Sequence, residues 1–254
     1  MSEAALEVRG VRKEFGGIVA LERIDLDVAA GEFVCLLGPS GCGKSTLLNA
    51  IAGFTRPSAG EILAFGKRVV QPEPARAMVF QEYALFPWMT VRENVSFGLQ
   101  IRGDRSAYEK ADALLDKLAL RGFGDRYPKD LSGGMRQRVA LARALALDAP
   151  MLLMDEPFGA LDALTRRSMQ DELLRIWTEL KQTIVFVTHG IEESLLLADR
   201  VVVMTYRPGT VKKIVPVTLG RPRDEATSEF STALRAVTEL VREEQRRHER
   251  DEQT

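Results

Sequence analysis

The stretch "EFVCLLGPSGCGKSTLLNAIAGF", residues 32–54, decides the fold. Its opening is a short apolar run closed by glycine, the signature of a strand buried inside a parallel sheet. Its end places Leu47, Leu48, Ile51 and Ala52 at helical spacing. Between them, residues 38–46 satisfy G-x-x-x-x-G-K-[ST]. A glycine-rich turn between strand and helix lets backbone N–H groups converge on phosphate oxygens, and the helix dipole adds a favourable field. Gly38, Pro39, Ser40, Gly41, Cys42, Gly43, Lys44, Ser45 and Thr46 are therefore the expected phosphate-binding residues. Lys44 is expected to reach the β- and γ-phosphates and Ser45 to ligate Mg²⁺.

Outward from this unit, the pattern alternates between strands and helices. Upstream lie "ALEVRGVRKEF" and "IDLDV", where Ile24, Leu26 and Val28 alternate with acids. Downstream, "GEILAFG" and "RAMVFQ" read as strands. From Tyr83 to Ala149 the texture is helical: "TVRENVSFGL" opens with the capping-box pair Thr90 and Glu93, and "SAYEKADALLDKLAL" with Ser106 and Glu109. Strands return at "MLLMDEP", "TIVFVTH" and "RVVVMTY", alternating with the helical "LTRRSMQDELLRIWTEL". This order predicts an α/β fold, a P-loop core with a mainly parallel sheet, an N-terminal β patch and an inserted helical segment. We expect a nucleotide-binding domain over 1–210, with its core at 1–82 and 150–210 and the helical subdomain at about 83–149. A short extension over 211–254 holds one strand, "VKKIVPVTL", and a charged tail from Ser228 that reads as a solvated helix fraying into disorder.

Bulk composition excludes several classes. The 254 residues carry a formal net charge of -1, which recruits neither nucleic acid nor an anionic membrane. Two cysteines, Cys35 and Cys42, fit a reducing compartment better than a disulfide framework. The N-terminus has no apolar leader core, and no run approaches the ~18 apolar residues of a membrane span. We expect a soluble, cytoplasmic chain that works at a membrane only by docking onto something that spans it.

Four further places carry chemistry. Asp155 and Glu156 end the apolar strand "MLLMDEP"; in a P-loop protein such an Asp holds Mg²⁺, and the next carboxylate is placed to orient or deprotonate a water. His189 ends "TIVFVTH" and reads either as a structural hydrogen bonder or as a γ-phosphate contact, since parallel strands present their carboxyl ends to the ligand. Gln81 ends "RAMVFQ" just before the helical segment, where a polar group could sense the nucleotide. The fourth, "KDLSGGMRQR" at 129–138, looks like a second helix start suited to an anion.

In this order the motifs resemble the nucleotide-binding subunits of ABC transporters, from about Leu6 to Thr205. "GPSGCGKST" matches the Walker A loop, Gln81 the Q-loop, "LSGGMRQR" the signature, "MLLMDEP" Walker B, "GALD" the D-loop and His189 the switch histidine. The resemblance implies that the N-terminal β patch is antiparallel and that the helical subdomain carries the signature. It also implies a head-to-tail pair of chains sandwiching ATP, with Mg²⁺ held by Ser45, Gln81 and Asp155. Glu156 would be the catalytic base and His189 the γ-phosphate contact, and Gln81 the link to a transmembrane partner. Ser132, Gly133 and Gly134 would bind the opposing copy's γ-phosphate, and Asp162 would cross the interface. Phe15 matches the aromatic stacked on adenine, with a core phenylalanine as the other reading. One departure stands out: the family often has Asp after the switch histidine, where this chain has Gly190. Cys42 lies within the loop, so alkylation is expected to inhibit and ATP to protect.

Within the family, "EYALFPWMTVRENVSFGL", "DEPFGALDALTR" and "RPGTVKKIVPVTLGRPRD" look like importer ATPases for nitrate, sulfonates or taurine. That implies a peripheral protein on the cytoplasmic face of the inner membrane. It would pair with a second copy of itself and dock permease subunits near Leu85–Val91. Indirectly it would serve a periplasmic or lipid-anchored binding protein. Phe86, Trp88 and Met89 read either as the docking patch or as cover for the helical subdomain's own core. A repair or translation ABC ATPase, an exporter cassette and a non-hydrolysing ATP switch are the alternatives. The chain shows neither a long coiled-coil interruption nor a second cassette, and it keeps Lys44, Glu156 and His189.

Overall fold

The computed structural model describes residues 4–252. Strands β1 (Ala4–Phe15), β2 (Ile18–Ala29) and β3 (Phe33–Leu37) lead into helix α1 (Lys44–Ala52), followed by β4 (Ala59–Ala64), β5 (Lys67–Arg68) and β6 (Arg76–Val79). Helices α2 (Val91–Ile101), α3 (Ala107–Lys117) and α4 (Gly133–Leu145) come next, then β7 (Met151–Asp155) and α5 (Ala163–Leu180). The chain closes with β8 (Thr183–Thr188), α6 (Ile191–Leu197), β9 (Arg200–Met204), β10 (Val211–Pro216) and α7 (Ser228–Glu252).

These elements form two compact units, Met1–Glu73 with Thr183–Thr254, and Pro74–Gln182. In the first, β1 pairs antiparallel with both β2 and β4, giving the order β2-β1-β4-β5. Ile24, Leu26 and Val28 are buried while Asp25 and Asp27 face solvent, so the alternation read from sequence sets which face is core. Beside this patch β3 runs parallel to β8 on one side and β9 on the other, and β10 adds an antiparallel edge to β9. Every residue of β3 and of β8 is buried, as continuous apolar runs of a parallel sheet require.

The tail departs from expectation. Rather than a solvated helix, α7 lays a stripe of Phe230, Val237 and Val241 into the core of its unit, each under a tenth exposed. That spacing of seven and then four residues keeps the three on one helix face despite the charges between them. Fraying beyond Glu252 concerns residues outside those described.

In the second unit β6 and β7 pair in parallel, and α2–α5 make up the rest. The start of α2 follows its sequence signature: the Glu93 N–H donates to Thr90 Oγ1 at 3.2 Å and the Thr90 N–H to Glu93 Oε2 at 2.7 Å. The start of α3 does not, for Ser106 makes no side-chain cap. Asp104 organises that corner instead. Its Oδ1 accepts from the Ser106 N–H and hydroxyl at 2.9 and 2.7 Å, and Lys110 reaches Oδ2 at 2.6 Å. A carboxylate accepts more strongly than a hydroxyl, so it wins the local competition.

Candidate functional site

The 38–46 loop leaves β3 at Leu37 and enters α1 at Lys44. Gly41 and Gly43 sit at φ +79° and +93°, a backbone region costly for any side chain. At Gly43 a Cβ would also stand 2.6 Å from Leu21 Cδ2. Gly43 is the N-cap of α1 and supplies no side-chain acceptor, so the first turn offers its N–H groups and positive dipole end outward. Lys44 is buried, and its ammonium donates to the carbonyls of Gly38 and Pro39 at 2.8 and 2.9 Å. Ser45 and Ser40 are exposed beside it.

Cys42 is fully buried, and a Cβ on Gly38 would lie 2.9 Å from its Sγ. Burial pushes its thiol above the usual cysteine range, although Lys44 pulls the other way. Because the thiolate is the nucleophile and Cys42 is buried, alkylation at this position is expected to be slow.

Phe15 closes β1, and the two-residue turn Gly16-Gly17, both at positive φ, leads into β2. The ring is 50% exposed, which rules out the core reading, and the Lys13 ammonium lies 4.7 Å from its centroid. His189 follows β8 directly and is exposed. The bond system on either side of it is explicit: the Thr188 hydroxyl donates to Glu193 Oε2 at 2.5 Å and accepts the Gly190 N–H at 2.9 Å. A Cβ on Gly190 would come within 3.3 Å of Glu193 Cβ. It would lie 3.8 Å from Glu193 Oε2, an ordinary contact, and nothing in the structure explains why glycine rather than aspartate stands here.

Within the second unit, Asp155 ends β7 buried, and Glu156 is half-buried at φ +41°. A non-glycine residue in that region costs of order 1 kcal/mol and turns the chain sharply at the acid. The following loop is fixed by Arg166, which donates to the carbonyls of Phe158 and Leu161 at 3.3 and 2.9 Å. Asp162 is the N-cap of α5 and accepts the Thr165 N–H at 3.0 Å; that bond lowers its pKa.

The signature forms the start of α4. Ser132 is the exposed N-cap, its Oγ accepting from the Met135 N–H at 3.3 Å, and Gly133 and Gly134 open the helix. The first turn carries no acid, so nothing on it opposes an incoming anion. Gly134 has a packing reason as well: a Cβ there would stand 2.5 Å from Thr165 Cγ2 of α5. Gln81 is exposed shortly after β6. Of the 85–91 segment, Phe86 packs on Phe97 with centroids 4.7 Å apart, whereas Trp88 is 71% exposed. Asn94 pins the turn by accepting the Phe86 N–H and donating to the carbonyls of Phe86, Met89 and Thr90. Phe86 thus helps cover its own unit, whereas Trp88 faces solvent.

Ser45, Gln81 and Asp155 offer hydroxyl, amide and carboxylate oxygens, the hard donors that Mg²⁺ takes. No cluster of three or more His, Cys, Asp or Glu fit to hold an ion occurs among the described residues. No described helix is long and apolar enough to cross a membrane.

Two arginine arrangements escaped the sequence reading. Arg207 donates from Nε to the Gly41 carbonyl at 3.2 Å. Arg223 is buried and donates to the carbonyls of Leu195, Leu196 and Ala198 around the end of α6. Burial, with a contribution from Arg221, lowers the Arg223 guanidinium to about 10.

Comparison with known proteins bears directly on this arrangement. Residues 21–159 match the family described as ABC transporter. The nitrate import ATP-binding protein of Synechocystis sp. is 47% identical over 233 residues, 89% of this chain and 87% of that one. The aliphatic sulfonates import ATP-binding protein of Bacillus thuringiensis is 44% identical over 218 residues, 86% of each. Among solved structures, a dimeric ATP-binding cassette in a post-hydrolysis state with ADP and Pi superposes with a TM-score of 0.75. It is 31% identical and covers 85% of this chain and 100% of that one.

Proposed function

Because this chain belongs to the ABC transporter family, as an importer-type ATPase coupling hydrolysis to transport, we propose that it drives uptake of a small oxyanion of the nitrate, alkanesulfonate or taurine type. The observation that carries the nucleotide chemistry is the phosphate loop itself: a bare α1 N-terminus beside the buried Lys44 ammonium, held on the Gly38 and Pro39 carbonyls. The oxyanion rests on the named functions of the nitrate and sulfonate relatives.

In this reading Phe15 stacks on adenine, the 38–46 loop cradles the phosphates, and Lys44 exchanges loop carbonyls for β- and γ-phosphate oxygens. Ser45, Asp155 and Gln81 would hold Mg²⁺, which would supply positive charge against the phosphates. Glu156 accepts a proton from the attacking water as oxygen bonds to the γ-phosphorus and the bond to the β–γ bridging oxygen breaks, releasing ADP. His189 hydrogen-bonds the γ-phosphate. A second copy completes each site with Ser132, Gly133 and Gly134 at a helix N-terminus, and Asp162 crosses between copies. A permease docks at 85–91 through Trp88, placing the chain on the cytoplasmic face of the membrane, and a separate binding protein delivers the solute.

The test uses purified protein with Mg-ATP. Glu156→Gln is expected to bind ATP, lose turnover and run as a dimer in size exclusion with light scattering. Adding Ser132→Arg to that variant is expected to abolish the dimer while fluorescent ATP still binds. Residual hydrolysis in Glu156→Gln removes Glu156 as the base, and a persisting dimer in the double variant removes the signature from the interface. Growth of a deletion strain on taurine, an alkanesulfonate or nitrate as sole sulfur or nitrogen source separates the solutes.

A further inference from the structure

The segment after β9 is a tight, self-bonded loop. The Thr205 N–H donates to the Thr210 carbonyl at 2.9 Å, the Thr210 N–H to Thr205 Oγ1 at 2.8 Å, and that hydroxyl to the Pro208 carbonyl at 3.0 Å. The loop is wedged between two parts of its own unit. Gly209 exchanges backbone bonds with β2, donating to the Ala20 carbonyl and accepting from the Glu22 N–H at 3.0 and 2.9 Å. On the other side a Cβ on Gly209 would lie 2.1 Å from the Cys42 carbonyl, so the loop lies directly against the phosphate loop. From this platform Arg207 reaches Gly41.

The far side of the same loop is tied to α7. Glu244, 5% exposed, accepts the Tyr206 N–H on Oε2 at 3.1 Å and the Lys212 ammonium on Oε1 at 2.8 Å. A buried carboxylate is tolerated only when its oxygens are bonded, so these contacts fix the distance between α7 and residues 205–210. Lys212 also donates to Glu243 at 2.7 Å. Burial pulls its ammonium down, but the bonds to Glu243 and Glu244 outweigh that and leave its pKa raised.

We infer that Arg207 is a positioning residue of the nucleotide site, set in place by Glu244 of the C-terminal helix. The peptide joining Gly41 to Cys42 is planar and trans, so its C=O and N–H point in opposite directions. By drawing the Gly41 carbonyl toward the 205–210 loop, Arg207 turns the Cys42 N–H toward the interior of the phosphate loop, where it donates to the Pro39 carbonyl at 3.4 Å and closes the turn. Gly41, with no Cβ, has the freedom to flip this peptide, and the guanidinium removes that freedom. Residues 211–252 thereby set how well the loop is pre-organised for phosphate. This rests on reading 38–46 as the phosphate loop.

The experiment titrates the purified full chain with a fluorescent ATP analogue and follows steady-state hydrolysis, alongside thermal melting without nucleotide. Arg207→Ala is expected to raise the analogue's Kd and the KM for ATP about fivefold, the scale of one ordinary net hydrogen bond, with a saturated rate within about twofold. Arg207→Lys keeps a donor and is expected to recover most of the affinity. Glu244→Gln is expected to move Kd in the same direction by a smaller factor. An Arg207→Ala protein with wild-type Kd, or a Kd rise that Arg207→Lys shares in full alongside a lowered melting temperature, overturns the inference. Lys44→Ala separates the underlying reading: if it binds the analogue as tightly as wild type, the phosphate-loop assignment falls. If it fails to bind while Arg207→Ala binds normally, only the role of Arg207 falls.

Discussion

Gly134 and Thr165 meet so closely that a single added carbon on the glycine would stand 2.5 Å from the threonine Cγ2. Thr165 is β-branched and stiff, so it cannot simply rotate away. Gly134→Ala is therefore expected to destabilise by about 1–2 kcal/mol, overpacking outweighing the better helix propensity of alanine. In a Thr165→Ser background the clash is gone and the same change is expected to be neutral or stabilising. Urea midpoints of the four proteins form the cycle, and an equal cost in both backgrounds refutes the contact. Any side chain at Gly134 therefore perturbs packing, which is why Ser132 is the better probe of the signature.

At the start of α3 the decisive residue is Asp104. Its hydrogen bond from Lys110, then those from Ser106, hold its carboxyl down to about 2. A depressed carboxylate contributes stability above its ordinary pKa and loses it as pH falls through the folded value. This contribution should therefore fade between about pH 4 and pH 2. Asp104→Asn is expected to flatten the stability–pH curve across that window, and Ser106→Ala to narrow it, since the hydroxyl bond is lost while those from Lys110 and the Ser106 N–H remain. Denaturant unfolding from pH 7 downward reads both.

Arg223 predicts a larger effect. Besides the α6 carbonyls it donates to the carbonyls of Leu219 and Val217 at 3.2 and 3.4 Å. Removing it leaves several buried acceptors without a donor, so Arg223→Ala is expected to cost about 2–4 kcal/mol in chemical denaturation. Arg223→Lys should recover little, since one ammonium cannot reproduce a planar fork spread over these carbonyls.

Thr188 lies one residue before His189 and bonds both Gly190 and Glu193. Thr188→Val keeps the shape and removes the hydroxyl. We expect kcat to fall several-fold with KM for ATP nearly constant, and Thr188→Ser to restore it. A change confined to KM would show that this corner positions nucleotide rather than the histidine.

Much of this was readable from sequence where the chemistry is local. The strand–turn–helix unit around residues 38–46, the Thr90–Glu93 start of α2 and the strand end at Asp155 are contiguous stretches whose residue types and spacing carry their own geometry. The misreadings share a cause, competition from a neighbour outside the pattern. Ser106 and Glu109 have capping-box spacing, but Asp104 supplies the stronger acceptor. The apolar stripe of α7, Phe230, Val237 and Val241, is diluted by the charges between its members and does not stand out in the sequence. The Arg207–Gly41 bond spans 166 residues and has no sequence signature at all. Only folding brings that pair together.

The order of the strands around β3 has a consequence for how the protein is made. Both neighbours of that strand, β8 and β9, come from residues 183–204, long after the phosphate loop itself has left the ribosome. At ~5–20 residues per second the nascent loop waits on the order of ten seconds or more for them. Until then the strand that aims it has no partner on either side. A truncated or unfinished chain therefore carries the full phosphate motif without a frame to present it, and nucleotide capture becomes a property of nearly complete molecules.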